Sequence, residues 1–116
     1  MALIVYVAHP IAGDVEKNLA EVKRICAELH SKEIYPIAPY YLMLQYQRDE
    51  NPAERALGMA YNMLYFHKNF IHEVWLYGPT ISKGMWEEID MAEFYGIPVR
   101  PKTEATARMF LAMKGG

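Results

Sequence analysis

The chain switches regularly between two hydrophobic periods, and the switches divide it into strands and helices. Leu3-Ile4-Val5-Tyr6-Val7 is an unbroken apolar, β-branched run, the mark of a strand covered on both faces. His9-Pro10-Ile11-Ala12-Gly13-Asp14 reads as a loop, with Asp14 placed to cap the helix that follows. From Val15 to Ser31 the apolar residues Leu19, Val22, Cys26 and Leu29 recur at helical spacing. Ile34 to Ala38 forms a second short strand, ended by Pro39. Glu73 to Tyr77 is a third strand, Gly78 to Lys83 its exit loop, and Gly84 to Tyr95 a helix. Ile97-Pro98-Val99 is a fourth strand, and Thr103 caps a last helix to Met113, with Gly115-Gly116 beyond its end.

Two segments depart from this simple pattern. Tyr40 to Asn51 holds Tyr40, Tyr41, Leu42, Met43, Leu44 and Tyr46, too many large apolar side chains for a solvated loop. It must bury itself against something, and a helical turn within it is one way. Asn51 then caps, and Pro52 opens, a helix running to about Asn69. Leu57, Met59, Tyr61, Met63, Leu64, Tyr65 and Phe66 make that helix apolar nearly all round. They cannot all face one sheet, so a homo-oligomer built on a two-fold dimer is expected.

The order βαβαβαβα with short connections demands right-handed crossovers. The expected fold is α/β, a single doubly wound, flavodoxin-like domain over residues 1–116. Its parallel sheet has four to five strands with helices on both faces. Such sheets bind ligands beyond the carboxyl ends of the strands, at the point where strand order reverses. The loops after the first three strands are therefore the places for chemistry.

Composition narrows the partners. Hydrophobic residues make up 53% and charged ones 22%, which suits a globular protein and not a disordered one. A formal charge of -2 argues against a nucleic-acid polymer as partner, since that needs a basic stripe. The apolar N-terminus is too short for a membrane span, and no membrane partner is expected. Cys26 is the single cysteine; it excludes an internal disulfide and a cysteine-cluster zinc site, and points to a reduced, cytoplasmic setting. No cofactor or metal is expected, because His30, His67 and His72 lack ligand spacing.

The strand-end loops offer several candidates, each with a structural alternative. Glu88 is expected in the first turn of the helix opened by Ser82-Lys83-Gly84, where the macrodipole would keep a carboxylate ionised. From position alone, helix-dipole decoration is the better explanation of Glu87 and Glu88. Ser82 and Asp14 read from spacing as N-caps. His9 follows the first strand and could hydrogen-bond a ligand or pack on the next loop. Tyr40, Tyr41 and Tyr46 could stack on a base or fill an interface.

Beyond these local readings, two stretches resemble a known group. Tyr6-Val7-Ala8-His9-Pro10-Ile11-Ala12-Gly13, then Asn18, then Tyr35-Pro36-Ile37-Ala38-Pro39, resembles the opening of the nucleoside 2-deoxyribosyltransferase-like superfamily. Ser82-Lys83-Gly84-Met85-Trp86-Glu87-Glu88-Ile89-Asp90-Met91-Ala92 with Gly96-Ile97-Pro98-Val99 is similar to its second signature. The likeness covers nearly the whole chain and is nearest to short bacterial and phage members. It implies a nucleoside or nucleotide ligand, with Glu88 at the catalytic glutamate and Ser82 at a ligand-contacting serine. Tyr6, His9, Pro10, Gly13, Asp14, Asn18, Pro39, Tyr40, Gly78 and Gly84 complete the expected binding set.

The activity implied is cleavage or transfer at an N-glycosidic bond, where a carboxylate stabilises or traps oxocarbenium character. Three departures from the superfamily's pattern stand out. His9-Pro10-Ile11-Ala12 occupies the place of an arginine-bearing phosphate clamp. His72, with Glu73 beside it, replaces an acidic residue before the third strand. The preceding helix offers only Gly58, Met59 and Asn62 where many relatives carry a carboxylate. These departures keep open a second class of function: a non-catalytic nucleotide binder, such as a phage protein sequestering an ADP-ribose-like or cyclic nucleotide signal.

Overall fold

The computed structural model describes residues 2–48 and 50–115. Four parallel strands, β1 (Leu3–Ala8), β2 (Ile34–Ile37), β3 (Glu73–Leu76) and β4 (Val99–Pro101), form one sheet in the order β2-β1-β3-β4. The helices are α1 (Val15–Leu29), α2 (Pro39–Met43), α3 (Pro52–His67), α4 (Lys83–Phe94) and α5 (Glu104–Gly115). The expected doubly wound α/β domain is therefore present, with four strands.

Local chemistry sets the element ends. Asp14 caps α1 by accepting from the Lys17 amide, and Asn51 caps α3 by accepting from Ala53 and Glu54, with Pro52 at the first position. Ser82 caps α4 by accepting from Met85 N–H, and the Thr106 amide donates to Thr103 Oγ1 at the start of α5. The aromatic segment after β2 does carry a helical turn, α2, opened by Pro39.

Most element ends shift by a residue or two from the sequence pattern, as at α1, which stops at Leu29 rather than Ser31. The fourth strand runs two residues later than expected because Ile97 N–H is taken by Ala92 O at 2.8 Å, closing α4 rather than joining the ladder. Gly115 belongs to α5 rather than lying past it; Gly116 falls outside the described residues.

Strand alternation sorts the core into two faces. Tyr6, Ala8, Val74 and Leu76 point toward α3 and α4, where they pack with Met63, Phe66, Met85 and Ile89. Val5 and Val7 point the other way, toward the side on which α1 buries Val22 and Ile25. The chain leaves β1 toward β2 and leaves β3 toward β4, so strand order reverses between neighbours β1 and β3. A crevice must open above their carboxyl ends.

Gly78 shapes that crevice. Its φ of +96° is a conformation side chains rarely adopt, and a Cβ there would stand 2.6 Å from Pro10 Cδ. The β3 exit loop can thus press directly on the β1 exit loop. Among the described residues, no helix is long and apolar enough to cross a membrane.

Within the single chain, α3 buries one stripe. Asn62, Met63 and Phe66 are buried, while Leu57, Tyr61, Leu64 and Tyr65 on its remaining surface are exposed. Leu42 and Tyr46 are exposed as well. The all-round apolar pattern therefore reflects a core face plus an uncovered apolar face.

Candidate functional site: a buried carboxylate over β1 and β3

A cleft opens above β1 and β3, with about 110 Å³ of free space. That is below the roughly 300 to 1,000 Å³ of a drug-sized pocket, room for about one ring-sized group. Its walls are apolar, built largely from Met43, Leu44, Met59 and Met85, side chains that adapt to a ligand's shape. Tyr40 stands in the wall, fixed by donating its hydroxyl to Val7 O at 2.6 Å.

Glu88 lies on the floor and is only 6% exposed. Tyr6, wholly buried on the central strand, donates its hydroxyl to Glu88 Oε2. Asn62, from the buried stripe of α3, donates its amide both to Tyr6 Oη and, at 3.2 Å, to the same Oε2. Three elements thus converge on one carboxylate oxygen. Glu88 Oε1 has no hydrogen-bond partner among the described residues, yet it is not among their unpartnered buried atoms. That oxygen is therefore open to the cleft.

Burial pushes the Glu88 carboxyl up to about 7, against the Tyr6 and Asn62 hydrogen bonds that favour its ionised form. This corrects the expectation of a carboxylate held ionised by the macrodipole. Glu88 stands in the second turn of α4, past the first-turn amides that carry most of the dipole's effect, and desolvation wins. The adjacent charge of Glu87 pushes the same way, although Glu87 itself faces solvent. Burial, and then the neighbouring Glu88, hold the Tyr6 phenol well above its usual range, so it remains a donor.

The other expected residues divide into two groups. His9, Tyr40, Ser82 and Gly84 line the cleft with Glu88. His9 is buried, and its Nδ1 lies 2.7 Å from Pro10 O. A carbonyl only accepts, so Nδ1 carries the proton and a neutral ring leaves Nε2 as an acceptor. Ser82 Oγ accepts from Met85 N–H at 3.2 Å and keeps its own proton to donate.

The second group does not line the cleft. Pro10 and Gly78 are the contact between the two exit loops. Gly13, at φ +100°, and Asp14 shape the entry to α1, and Asn18 ties that loop by donating to Ile11 O at 2.9 Å. Pro39 opens α2. His72 Nδ1 accepts from Ile4 N–H at the start of the sheet, and Cys26 is a half-buried thiol pushed up by burial.

Asn62 is the participant to which sequence reasoning assigned no role, naming it only beside Gly58 and Met59 where relatives carry a carboxylate. The signal was its position: three residues after Met59 and four before Phe66, on the stripe that faces the core. The rim adds Gln47, Arg48 and Glu54, with Arg48 Nη2 and Glu54 Oε2 paired at 3.0 Å. Among the described residues, no group of three His, Cys, Asp or Glu side chains could hold a metal ion.

Residues 3–102 match a family described as Domain of unknown function (DUF7768). The chain belongs to this family. The match runs from the first residue of β1 past β4, so the sheet, the cleft and every member of the Tyr6–Asn62–Glu88 cluster lie inside the DUF7768 region. No curated protein and no solved structure matches the chain.

Proposed function

We propose that this protein cleaves or transfers the N-glycosidic bond of a nucleoside or nucleotide, with Glu88 as the reacting carboxylate. The observation that carries the reading is the Glu88 side chain itself. It is buried at the topological switch point, with one oxygen held by Tyr6 and Asn62 and the other open to an apolar cleft. The resemblance of Ser82 to Ala92 to the nucleoside 2-deoxyribosyltransferase-like signature supports the same residue.

In this mechanism the ionised Oε1 approaches the anomeric carbon as the C–N bond breaks. The bonding pair leaves with the base nitrogen, which takes a proton from solvent. The positive charge developing on the sugar is trapped by the carboxylate. Water, or a second base, then adds to the anomeric carbon, releasing Glu88 and giving up its proton. Tyr6 and Asn62 fix the carboxylate's orientation, a positioning role of the kind that preorganises a site.

One observation favours a second reading, binding without turnover. Among the described residues, Glu54 at the rim is the other carboxylate that lines the cleft, and it is paired with Arg48 rather than placed to protonate a leaving base. The exposed Leu57, Tyr61, Leu64 and Tyr65 face of α3 supports a homo-oligomer. Sedimentation as a monomer at micromolar concentration would contradict that assembly.

Incubation with mixed nucleosides and nucleotides, followed by mass spectrometry, tests the main reading. The parent protein is expected to release free base. Glu88→Gln should abolish release while still binding the ligand, and Glu87→Gln should behave as the parent. A Glu88→Gln protein as active as the parent rules out the enzymatic reading; an unaltered bound nucleotide supports the binder.

A further inference from the structure

The charged side chains that line the cleft are sorted by depth. Glu88 is buried on the floor, whereas Arg48 and Arg55 are exposed lining residues, with Glu54 beside Arg48. Helical spacing puts Arg55 on the same wall as the floor cluster. Arg55, Gly58, Met59 and Asn62 fall at i, i+3, i+4 and i+7 on α3, and all four line the cleft. By helical rise Arg55 sits about 10 Å along the axis from Asn62, and Asn62 Nδ2 is 3.2 Å from Glu88 Oε2. This wall therefore runs from a carboxylate at the floor to a guanidinium at the mouth, with the uncharged Gly58 and Met59 between them.

Arg48 reaches the mouth from the segment after α2, and Glu54 holds it there. The Arg48 amide donates to Glu54 Oε1 at 3.2 Å, and its Nε and Nη2 donate to Oε2 at 3.1 and 3.0 Å. An exposed ion pair adds little stability; the effect of this one is to fix a guanidinium at the cleft. The pair engages one edge of the fork, and the other N–H groups of Arg48 lie outside it.

Charge then decides how a ligand lies. A phosphate ester is repelled by the carboxylate at the floor and attracted by guanidiniums at the mouth, whose planar forks suit its oxygens. The cleft has room for about one ring, so with a sugar over Glu88 the rest of the ligand extends toward the mouth. In a furanose whose anomeric carbon faces Glu88, the C5′ arm leaves from C4′, across the ring oxygen. It carries a 5′-phosphate away from the carboxylate.

We infer that Arg55, with Arg48, forms an anion subsite at the cleft mouth that takes the 5′-phosphate of a nucleoside monophosphate, so that nucleotides are preferred to nucleosides. This rests on the N-glycosidic reading above and narrows its substrate. The arginines come from α3 and the segment before it, not from the His9-Pro10-Ile11-Ala12 loop, which has none.

The test compares AMP with adenosine and CMP with cytidine. The readout is kcat/KM for base release, or Kd where nothing is released. The parent protein is expected to favour each monophosphate by about tenfold or more, and the preference should shrink as salt is raised. Arg55→Met keeps the apolar stem and removes the charge, so it should bring the ratio close to one. Arg55→Lys should retain part of the preference, and Arg48→Met should lower it. Arg55→Gln is the second variant should Arg55→Met fail to fold. Equal use of both members of each pair by the parent overturns the anion subsite and leaves the N-glycosidic reading standing. So does an undiminished monophosphate preference in a folded, uncharged Arg55 variant. Failure to bind or cleave any of the four compounds overturns both.

Discussion

Two buried polar clusters sit at the carboxyl ends of adjacent strands, and they are finished differently. Beyond β3, Thr103 Oγ1 donates to Gly78 O at 2.8 Å and stands 2.8 Å from Thr106 Oγ1, which itself reaches Leu76 O at 3.3 Å. Thr106 is fully buried, and this knot is closed. Beneath the cleft, Tyr6, Asn62 and Glu88 come from three separate elements and leave Asn62 Oδ1 without a donor and Glu88 Oε1 open. A cluster that only braces a fold gains nothing from an unpaired acceptor, which costs about 1 to 3 kcal/mol. Bracing and recognition are thus distinguishable by what each cluster leaves undone.

The largest expected effect follows from burying a carboxylate. The Glu88 carboxyl rises from its ordinary 4.5 to about 7 on folding, so between those values the folded state holds a proton that the unfolded chain has released. Stability contributed by that proton is complete below pH 4.5 and lost as pH climbs through about 7. The loss amounts to roughly 3 kcal/mol. Urea unfolding of the parent across this range should show the fall, and Glu88→Gln should lack it. Parallel stability curves for the two proteins would mean that Glu88 titrates as an exposed glutamate does.

A smaller effect is expected in the closed cluster. Thr106→Val keeps the shape and removes the hydroxyl, so it should cost about 1 kcal/mol of stability. Because the Thr106 hydroxyl takes no part in the cleft, ligand behaviour should be unchanged. A Thr106→Val protein with parent stability but altered ligand binding would erase the distinction between the two clusters.

Most of the fold was legible in the sequence because its signals are local. The Leu3 to Val7 run, the Asn51-Pro52 pair and the Ser82 and Thr103 caps each announce an element within a few residues. Topology points to the strand-end loops, but spacing alone reads Glu88 as helix decoration and Ser82 as an N-cap; the superfamily resemblance is what singles them out. Asn62 stands out only as a substitute for a carboxylate, since its actual role depends on how α3 crosses β1, a tertiary relation that spacing within a helix does not encode. The Glu88 proton affinity was misjudged for a related reason. Dipole effects follow from position along a helix, whereas desolvation depends on what packs over the side chain. The second apolar face of α3 lies exposed on the single chain, and an apolar sequence does not by itself say what covers it.

The pH dependence of base release tests the role of Glu88 most directly. If the open oxygen of its carboxylate attacks or stabilises the anomeric carbon, the rate must rise with pH as Glu88 ionises, with a midpoint near 7. Tyr6→Phe removes a hydrogen bond that favours the ionised form, so it should move that midpoint upward. A rate that is flat from pH 5 to 9, or that falls through neutrality, or a midpoint unmoved in Tyr6→Phe, would contradict the account.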